Sequence, residues 1–322
     1  MLSDTIYFFH DIKNDESKTN MKIKSKFVHH TVKSSLFTMN EIAVSKKIRE
    51  LNAKNGFKFY IFDKAERLKI AGLGPYSMDA SIVKSDAQKI LLTFAQTDLI
   101  YLDSSLSLSS SKKYIFQLIE SYRFLLRSID LLVCNRLIHN GINFDTILIK
   151  KEAPILTNFM FTVDLQGTTA FNWSQYFLER PLDKFCPVEF YLLQYQVTNN
   201  QVLSVYNIET IIRQFIKNNG LTSSETDLTY FFKYANKTFN CNIDEALKYC
   251  WTWDNYALSM VYLDILKNTF NKTDNKFISY FMKLLVDNIC LDPSKRGLPN
   301  PCLLVFEEML QTISINDFKE LI

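Results

Sequence analysis

The segment from residue 137 to 149, Leu-Ile-His-Asn-Gly-Ile-Asn-Phe-Asp-Thr-Ile-Leu-Ile, most constrains what the chain can fold into. It holds a polar centre around His139 between two apolar runs, and a short turn then leads into a further apolar run, Ile155 to Thr157. Apolar runs joined by a short turn predict a β-hairpin. Upstream, residues 112–134 carry apolar side chains at helical spacing. We therefore expect a long core helix, a loop that contains His139, and a hairpin, in this order.

This loop resembles the catalytic loop of protein kinases with its chemical groups replaced. In that family the pattern is His-Arg-Asp-Leu with an Asn five residues after the Asp; the Asp accepts the substrate's proton and the Asn binds magnesium. His139 keeps the His, whereas Gly141 takes the position of the Asp and Thr146 that of the Asn. Asn143 is a further degenerate position in the loop. The resemblance implies that the groups needed for phosphate transfer are missing.

A second kinase-like motif follows the hairpin. Asn158-Phe159-Met160 stands in the place of the Asp-Phe-Gly motif, whose Asp chelates magnesium. Phe159 is retained, but Asn158 offers a neutral oxygen to a hard cation that prefers carboxylates. The resemblance therefore implies weak metal binding, and we expect neither a metal site nor a cofactor.

Three later segments resemble structural motifs of the kinase family. Residues 186–189, Cys-Pro-Val-Glu, are similar to Ala-Pro-Glu with one residue inserted, residues 254–259 to the start of a buried helix, and residues 291–296 to the Asp-Pro-x-x-Arg segment. The resemblance implies that Glu189 pairs with Arg296 and that Asp254 binds the backbone around His139. Buried charges need such partners, because an unpaired one costs several kcal/mol.

The order of these landmarks implies an α+β, two-lobed protein kinase-like fold. A small β-rich lobe would span residues 1–97, and a larger, mainly helical lobe would span 98–322 with an insertion at about 191–252. The insertion is rich in Tyr, Phe and Trp. Such residues either pack on the large lobe or meet a partner, and packing is favoured because exposed aromatic clusters are costly.

Four segments of the small lobe predict strands and one predicts a helix. The expected strands are residues 5–9, 21–32, 58–63 and 89–94. Thr38 to Glu41 supplies a capping signal for a helix with an apolar stripe. In the resemblance, Glu41 takes the place of the Glu that pairs with the phosphate-binding Lys. Lys24 is the candidate for that Lys, with Lys22 and Lys26 as competing choices.

The kinase glycine-rich loop has no counterpart in this sequence. Glycines let backbone amides approach ATP phosphates, yet residues 1–55 contain none and the first is Gly56. After the small lobe, the serine-rich stretch 103–111 predicts a flexible, exposed loop.

Composition limits the partners and the compartment. The net charge of +3 is small for 322 residues and gives no argument for nucleic-acid binding. The sequence has no run of eighteen apolar residues and no apolar leader, so we expect no membrane partner and an intracellular, cytoplasmic location. Six cysteines without Cys-x-x-Cys spacing indicate buried free thiols.

The sequence therefore predicts a pseudokinase that acts by binding a protein partner, as a scaffold, an allosteric partner or an assembly component. One alternative is an atypical kinase or nucleotide-binding protein that uses relocated acidic groups such as Asp145 or Asp164. Another is a structural component of a viral assembly, because the composition and the Pro-Val-Glu motif are similar to those of kinase-like proteins of large DNA viruses.

Overall fold

The structure, a computed structural model, describes residues 27–56, 58–67, 89–95, 97–107, 109–166, 172–239, 247–270 and 275–321. Within these residues the fold is mixed α+β. The expected strand at residues 5–9 and the candidate Lys24 lie outside the described residues, as do Lys22 and Lys26.

The amino-terminal part combines short strands with one long helix. In an antiparallel sheet, the central strand 89–95 pairs with strand 27–33 on one side and with strand 64–67 on the other. The predicted strand at 89–94 is confirmed, and the one at 58–63 is shorter than expected. The element bounds are β1 Phe27–Lys33, α1 Leu36–Asn55, β2 Phe59–Tyr60, β3 Lys64–Arg67 and β4 Lys89–Ala95.

Helix α1 begins earlier than the sequence signal indicated. Ser35 is its N-cap, and the Ser35 hydroxyl accepts the Thr38 backbone N–H at 3.1 Å. The predicted cap at Thr38 was wrong because the Thr38 hydroxyl instead donates to the Lys33 carbonyl at 3.0 Å. The expected apolar stripe is confirmed, since Val44 and Ile48 are fully buried.

The serine-rich stretch is not a loop throughout. β5, Ile100–Tyr101, leads directly into helix α2, Leu102–Ser107. Leu102 and Leu106 are buried on the same face of α2, because residues four apart in a helix are neighbours. Because these two leucines anchor a helix, the prediction of an exposed loop at 103–111 was wrong for the first half of that stretch.

The predicted core helix and hairpin are confirmed. Helix α3, Ser111–Cys134, is followed by β6, Leu137–Ile138, and by the hairpin of β7, Ile147–Lys150, and β8, Ala153–Thr157. The hairpin turn has Lys151 and Glu152 in left-handed conformations, with φ of 48° and 70°. Two such residues match the right-handed twist of the paired strands. β8 also pairs with β2, and β7 with β5.

The remaining elements are mainly helical, and they follow β9, which pairs antiparallel with β6. The most buried of them is α8, Trp253–Phe270, whose residues from Trp253 to Leu263 are all buried. The ring of Tyr122 on α3 lies 4.9 Å from the rings of Tyr262, Phe281 and Phe306, which belong to three different helices. The bounds are β9 Val163–Asp164, α4 Trp173–Glu179, α5 Val188–Asn199, α6 Val205–Asn218, α7 Glu225–Phe239, α8 Trp253–Phe270, α9 Lys276–Asn288, α10 Pro299–Thr312 and α11 Ile315–Lys319.

The aromatic-rich insertion packs on the rest of the chain. Its helices α6 and α7 bury Ile208, Phe215, Leu228 and Phe231. The expectation that the insertion packs is thus confirmed for these helices, although Tyr230 remains 60% exposed.

None of the helices in the described ranges combines the length and hydropathy needed to cross a membrane. The free thiols of Cys186, Cys250 and Cys302 are buried as expected, whereas Cys134 is exposed, so that part of the prediction was wrong.

Candidate functional site

The His139 loop lies between β6 and β7 and is held by backbone contacts. The His139 ring is fully buried; its Nε2 donates to the Thr157 carbonyl at 3.0 Å, and its Nδ1 accepts the Gly141 N–H at 3.2 Å. Burial lowers the pKa of His139 to about 4; the hydrogen bond to the Thr157 carbonyl opposes this shift, and the nearby Arg180 charge adds to it. The imidazole is therefore neutral at physiological pH and serves as a structural bridge from the loop to β8.

Asp254 fixes the loop from the opposite side. Its two carboxylate oxygens accept the backbone N–H groups of His139 at 2.7 Å and Asn140 at 2.6 Å. Asp254 is fully buried, and burial raises its pKa to about 6 while the two N–H donors oppose that rise. The expected contact between Asp254 and the backbone at His139 is thus present.

The side chains at two of the degenerate loop positions form hydrogen bonds within the loop itself. The Thr146 hydroxyl accepts the Asn143 N–H at 2.9 Å and lies 3.1 Å from the carbonyl oxygens of Gly141 and Asn143. The Asn143 side chain accepts the N–H of Asp145 at 2.9 Å and caps a 3₁₀ turn. Thr146 and Asn143 therefore serve the turn, and Gly141 has no side chain to act as a base.

Asn158 and Phe159 follow the end of β8. Asn158 has a left-handed backbone with φ of 62°, and its side-chain oxygen is buried without a hydrogen-bond partner in the described part of the chain. The Phe159 ring packs edge-on against His139, with ring centres 4.8 Å apart. Within the described ranges, no group of three or more His, Cys, Asp or Glu side chains is placed to hold a metal ion.

Helix α1 is bound directly to the segment that starts at Asn158. The Glu41 carboxylate accepts the Phe159 N–H at 3.1 Å, and the Asn40 amide donates to the carbonyls of Met160 and Thr162 at 3.0 and 2.7 Å. Burial raises the pKa of Glu41 to about 7. Among the described residues, no cation lies within ion-pair distance of Glu41. Its contact is thus with backbone, and the predicted partner Lys24 lies outside the described residues.

A third contact extends this docking along α1. The Lys47 ammonium lies 2.5 Å from the carboxylate of Asp164, which is buried on β9. Asp164, one of the two relocated acids considered from the sequence, is thus committed to an ion pair. Asp145, the other, is exposed on the 3₁₀ turn.

Glu189 and Arg296 form the buried ion pair that the resemblance implies. The two guanidinium nitrogens Nη1 and Nη2 lie 2.6 and 2.8 Å from the two oxygens of Glu189, and each side chain is 1% exposed. Trp253 Nε1 also donates to the carboxylate at 3.2 Å. Arg296 donates further to the carbonyls of Cys290 and Leu291, so the bidentate pair is supported on both sides.

Sequence reasoning missed two residues beside the loop. Arg180 is 5% exposed, and its guanidinium carbon lies 4.4 Å from the ring centre of Phe161 and 5.0 Å from that of Phe190. Tyr176 accepts a hydrogen bond from the Asn140 amide and donates to the Phe161 carbonyl at 3.1 Å. A basic residue between aromatic runs is the one signal the sequence offered, and it does not indicate which rings surround Arg180.

No protein-family model matches the chain, and no curated protein is significantly similar to it in sequence.

Proposed function

We propose that the chain is a pseudokinase: a two-lobed, kinase-like protein that does not transfer phosphate and acts by binding a protein partner. The proposal is carried by the buried Glu189–Arg296 pair, which joins positions 107 residues apart in the sequence. The two hydrogen bonds from Asp254 to the His139 loop support it independently. Both contacts are those that the order of the motifs requires.

Three positions support a loss of catalysis. Gly141 offers no proton acceptor, the Thr146 hydroxyl is used within its own turn, and Asn158 supplies a neutral oxygen. The absence of a general base alone typically costs 100- to 10,000-fold in rate. A protein that lacks both this base and strong metal ligands acts most simply by binding.

The docking of α1 supports a fixed arrangement for this binding protein. The side chains of Asn40, Glu41 and Lys47 bind the segment 159–164 directly. A partner would therefore meet a preformed surface, which lowers the entropy cost of association. We assign partner binding to a different part of the chain, the insertion, whose exposed apolar side chains are Val202, Val205, Tyr206 and Tyr230.

An atypical kinase is the alternative from the enzyme class, and one observation favours it. Asp145 is an exposed carboxylate four residues after Gly141, whereas Asp164 is buried against Lys47. If the chain were an enzyme, Asp145→Asn would abolish phosphotransfer.

A structural role in a viral assembly is a further form of the binding function, to be recognised by co-purification with an assembled particle.

Thermal unfolding with nucleotides tests the proposal. ATP with magnesium at millimolar concentration should leave the melting temperature unchanged, whereas a ligand at one hundred times its dissociation constant would add about 2.7 kcal/mol. ADP and magnesium alone are the matched controls. A magnesium-dependent rise in melting temperature would support the enzyme alternative instead.

A further inference from the structure

Helix α7 presents a face on which one exposed aromatic ring lies among three lysines. The Tyr230 side chain is 60% exposed. Lys233 follows it by three residues and Lys237 by seven, so all three side chains lie on one side of the helix. The Lys295 ammonium, from a separate segment, lies 5.3 Å from the centre of the Tyr230 ring. All three lysines are exposed, and together these four residues form the Tyr230 surface.

The backbone under the Tyr230 surface is held from two directions. On the helix, the neighbouring Phe231 is 1% exposed and fixes the rotation of α7. On the other side, Lys295 ends a 3₁₀ turn, Pro293–Lys295, that is capped by the Asp292 carboxylate. The next residue, Arg296, is fixed in its buried ion pair. The backbone positions of the lysines are therefore set before a partner binds, which lowers the entropy cost of association.

The positive charge of the Tyr230 surface is not neutralised within the described part of the chain. None of its three lysines forms an ion pair there. Four carboxylates on α7 or beside it have partners of their own. They are Glu225 with Arg213, Asp227 with the Ser224 hydroxyl, Asp292 with the Ser294 hydroxyl, and Glu189 with Arg296. Unbalanced positive charge next to an exposed ring favours an acidic partner.

The dipole of α7 does not account for this charge. A helix dipole favours lysines in the last turn, and Lys237 lies there. Lys233 lies one turn earlier, and Lys295 does not belong to the helix. The tertiary fold therefore brings the three lysines together, and the stability of one helix does not require it.

We propose that the Tyr230 surface binds an acidic segment of a partner protein, with carboxylates beside the lysines and an apolar side chain on the Tyr230 ring. This assignment rests on the proposed function, because it specifies the chemistry of the protein partner. Asp227, three residues before Tyr230, repels the partner's acids towards the carboxyl-terminal half of α7.

A protein segment fits this surface better than a nucleic acid or a membrane. Proteins that bind nucleic acids strongly neutralise about 6–10 phosphates, and polybasic membrane sites use about 4–8 cationic residues. Three lysines fall short of both. Tyrosine, in contrast, is enriched among the residues that contribute most to protein–protein interfaces.

Binding of a synthetic peptide to the full chain tests the assignment. The probe is a short, fluorescently labelled peptide in which pairs of Glu alternate with Leu, and fluorescence anisotropy follows its binding. We expect saturable binding that weakens as salt is raised, because salt screens exposed charges. The same peptide with Gln in place of Glu should bind at least about tenfold more weakly, since several surface ion pairs are lost.

Variants locate the binding. Replacing all three lysines of the Tyr230 surface by Gln should weaken binding of the Glu peptide at least about tenfold, and each single replacement about 2- to 5-fold. Tyr230→Ala should also weaken it, whereas Tyr230→Phe keeps the ring and should retain it. The matched control makes the same change in net charge on other helices through Lys267→Gln, Lys283→Gln and Lys319→Gln, at three exposed positions. Unchanged melting temperatures show that each variant is folded.

Four results would overturn the assignment. They are the absence of saturable binding of the Glu peptide, equal affinity for the Gln peptide, an equal loss of binding in the control lysine variant, and tighter binding of a single-stranded oligonucleotide or of phosphatidylserine vesicles than of the Glu peptide. The nucleotide melting test separates these failures from a failure of the proposed function. A magnesium-dependent rise in melting temperature would contradict the pseudokinase proposal and leave the peptide binding intact, whereas the four results above leave the nucleotide test unchanged.

Discussion

At the scale of single residues, the buried ion pair should be sensitive to the loss of either partner. Glu189 and Arg296 are buried and meet through two charge-assisted hydrogen bonds. Arg296→Met should lower the free energy of unfolding by about 3–5 kcal/mol, because it leaves the carboxylate buried without its counter-charge. Urea unfolding measures this loss.

Two variants test the cause of that loss. Replacing both partners, Glu189→Leu with Arg296→Met, should cost less than Arg296→Met alone, since no charge is then stranded. Arg213→Met is the matched control: Arg213 pairs with the carboxylates of Glu209 and Glu225, but on the surface, where ion pairs contribute little. A double variant as unstable as the single one would show that packing, not charge, dominates.

The buried carboxyl of Glu41 should make stability depend on pH. Its pKa is about 7 in the folded protein against 4.5 as the ordinary value. Between these values the unfolded chain loses the proton that the folded chain keeps, so Glu41 destabilises the fold increasingly as pH rises from 4.5 to 7. Glu41→Gln keeps an acceptor for Phe159 and should be more stable than the natural protein at pH 8, by on the order of 3 kcal/mol.

This difference should vanish near pH 4.5, which denaturant unfolding at both pH values can establish. Glu50→Gln, an exposed position on the same helix, controls for simple removal of a charge. A Glu41→Gln protein that is less stable at pH 8 would mean that the carboxylate has a cationic partner.

Motif order predicted some partners at this scale and not others. The contacts of Glu189 with Arg296 and of Asp254 with the His139 loop were implied by the resemblance to kinase motifs, and buried charges need such partners. The partners of Asn40 could not be predicted. They are backbone carbonyls 120 and 122 residues away, and every residue has a carbonyl, so the sequence does not distinguish them. Arg180 was missed for a similar reason. It packs against aromatic rings, and the sequence does not show which of its many aromatic residues lie next to it.

At the scale of elements, helix α1 is joined to two different parts of the chain by two asparagines. Asn40 binds the carbonyls of residues 160 and 162, while Asn52 binds the Phe59 carbonyl at 2.7 Å. Asn40→Ala should cost about 1–3 kcal/mol by stranding buried carbonyls. Hydrogen exchange should accelerate for amides at 159–164 in this variant.

Asn52→Ala provides the matched comparison, because it should accelerate exchange at residues 58–60 and leave 159–164 unchanged. If both variants loosened the same amides, α1 and its neighbours would open as one cooperative unit, and the separate docking contacts would not be distinguishable.

Helix α7 presents neighbouring aromatic residues with opposite roles. Phe231 is 1% exposed and Tyr230 is 60% exposed. Phe231→Ala should cost about 3–5 kcal/mol by creating a cavity, whereas Tyr230→Ala should leave stability nearly unchanged. Under the proposed function, Tyr230→Ala should instead weaken partner association, measured by co-purification from the native source. Normal association in the folded Tyr230→Ala protein would exclude this face of α7 as the binding surface.

Sequence periodicity predicted the long elements better than the short ones. Helix α3 and the β7–β8 hairpin were found because many buried side chains repeat at their characteristic spacing. Helix α2 was missed because its six residues include three serines, and two buried leucines are too few to establish a period. Helix α1 was placed three residues late because Ser35 and Thr38 are both good caps and only tertiary contacts select between them.

At the scale of the whole molecule, the loss of phosphate transfer would have several independent causes if the chain is a pseudokinase. Gly141 lacks a base, Asn158 lacks a carboxylate, and the Asn143 and Thr146 side chains hold the 3₁₀ turn. Defects in proton transfer and metal binding act at different steps, so repairing one does not remove the other.

Gly141→Asp should therefore leave phosphotransfer undetectable. The added Cβ would lie 3.2 Å from the Phe161 ring and 3.6 Å from the His139 ring, so a small shift of these rings has to accompany it. Melting temperature verifies that the variant is folded, and transfer of labelled phosphate to generic substrates measures activity. Gly141→Ala is the matched control, since it introduces the same contacts without a base. If Gly141→Asp alone gained magnesium-dependent activity, Asn158 would be a sufficient metal ligand. If the natural protein were active and Asp145→Asn silenced it, the chain would be an enzyme.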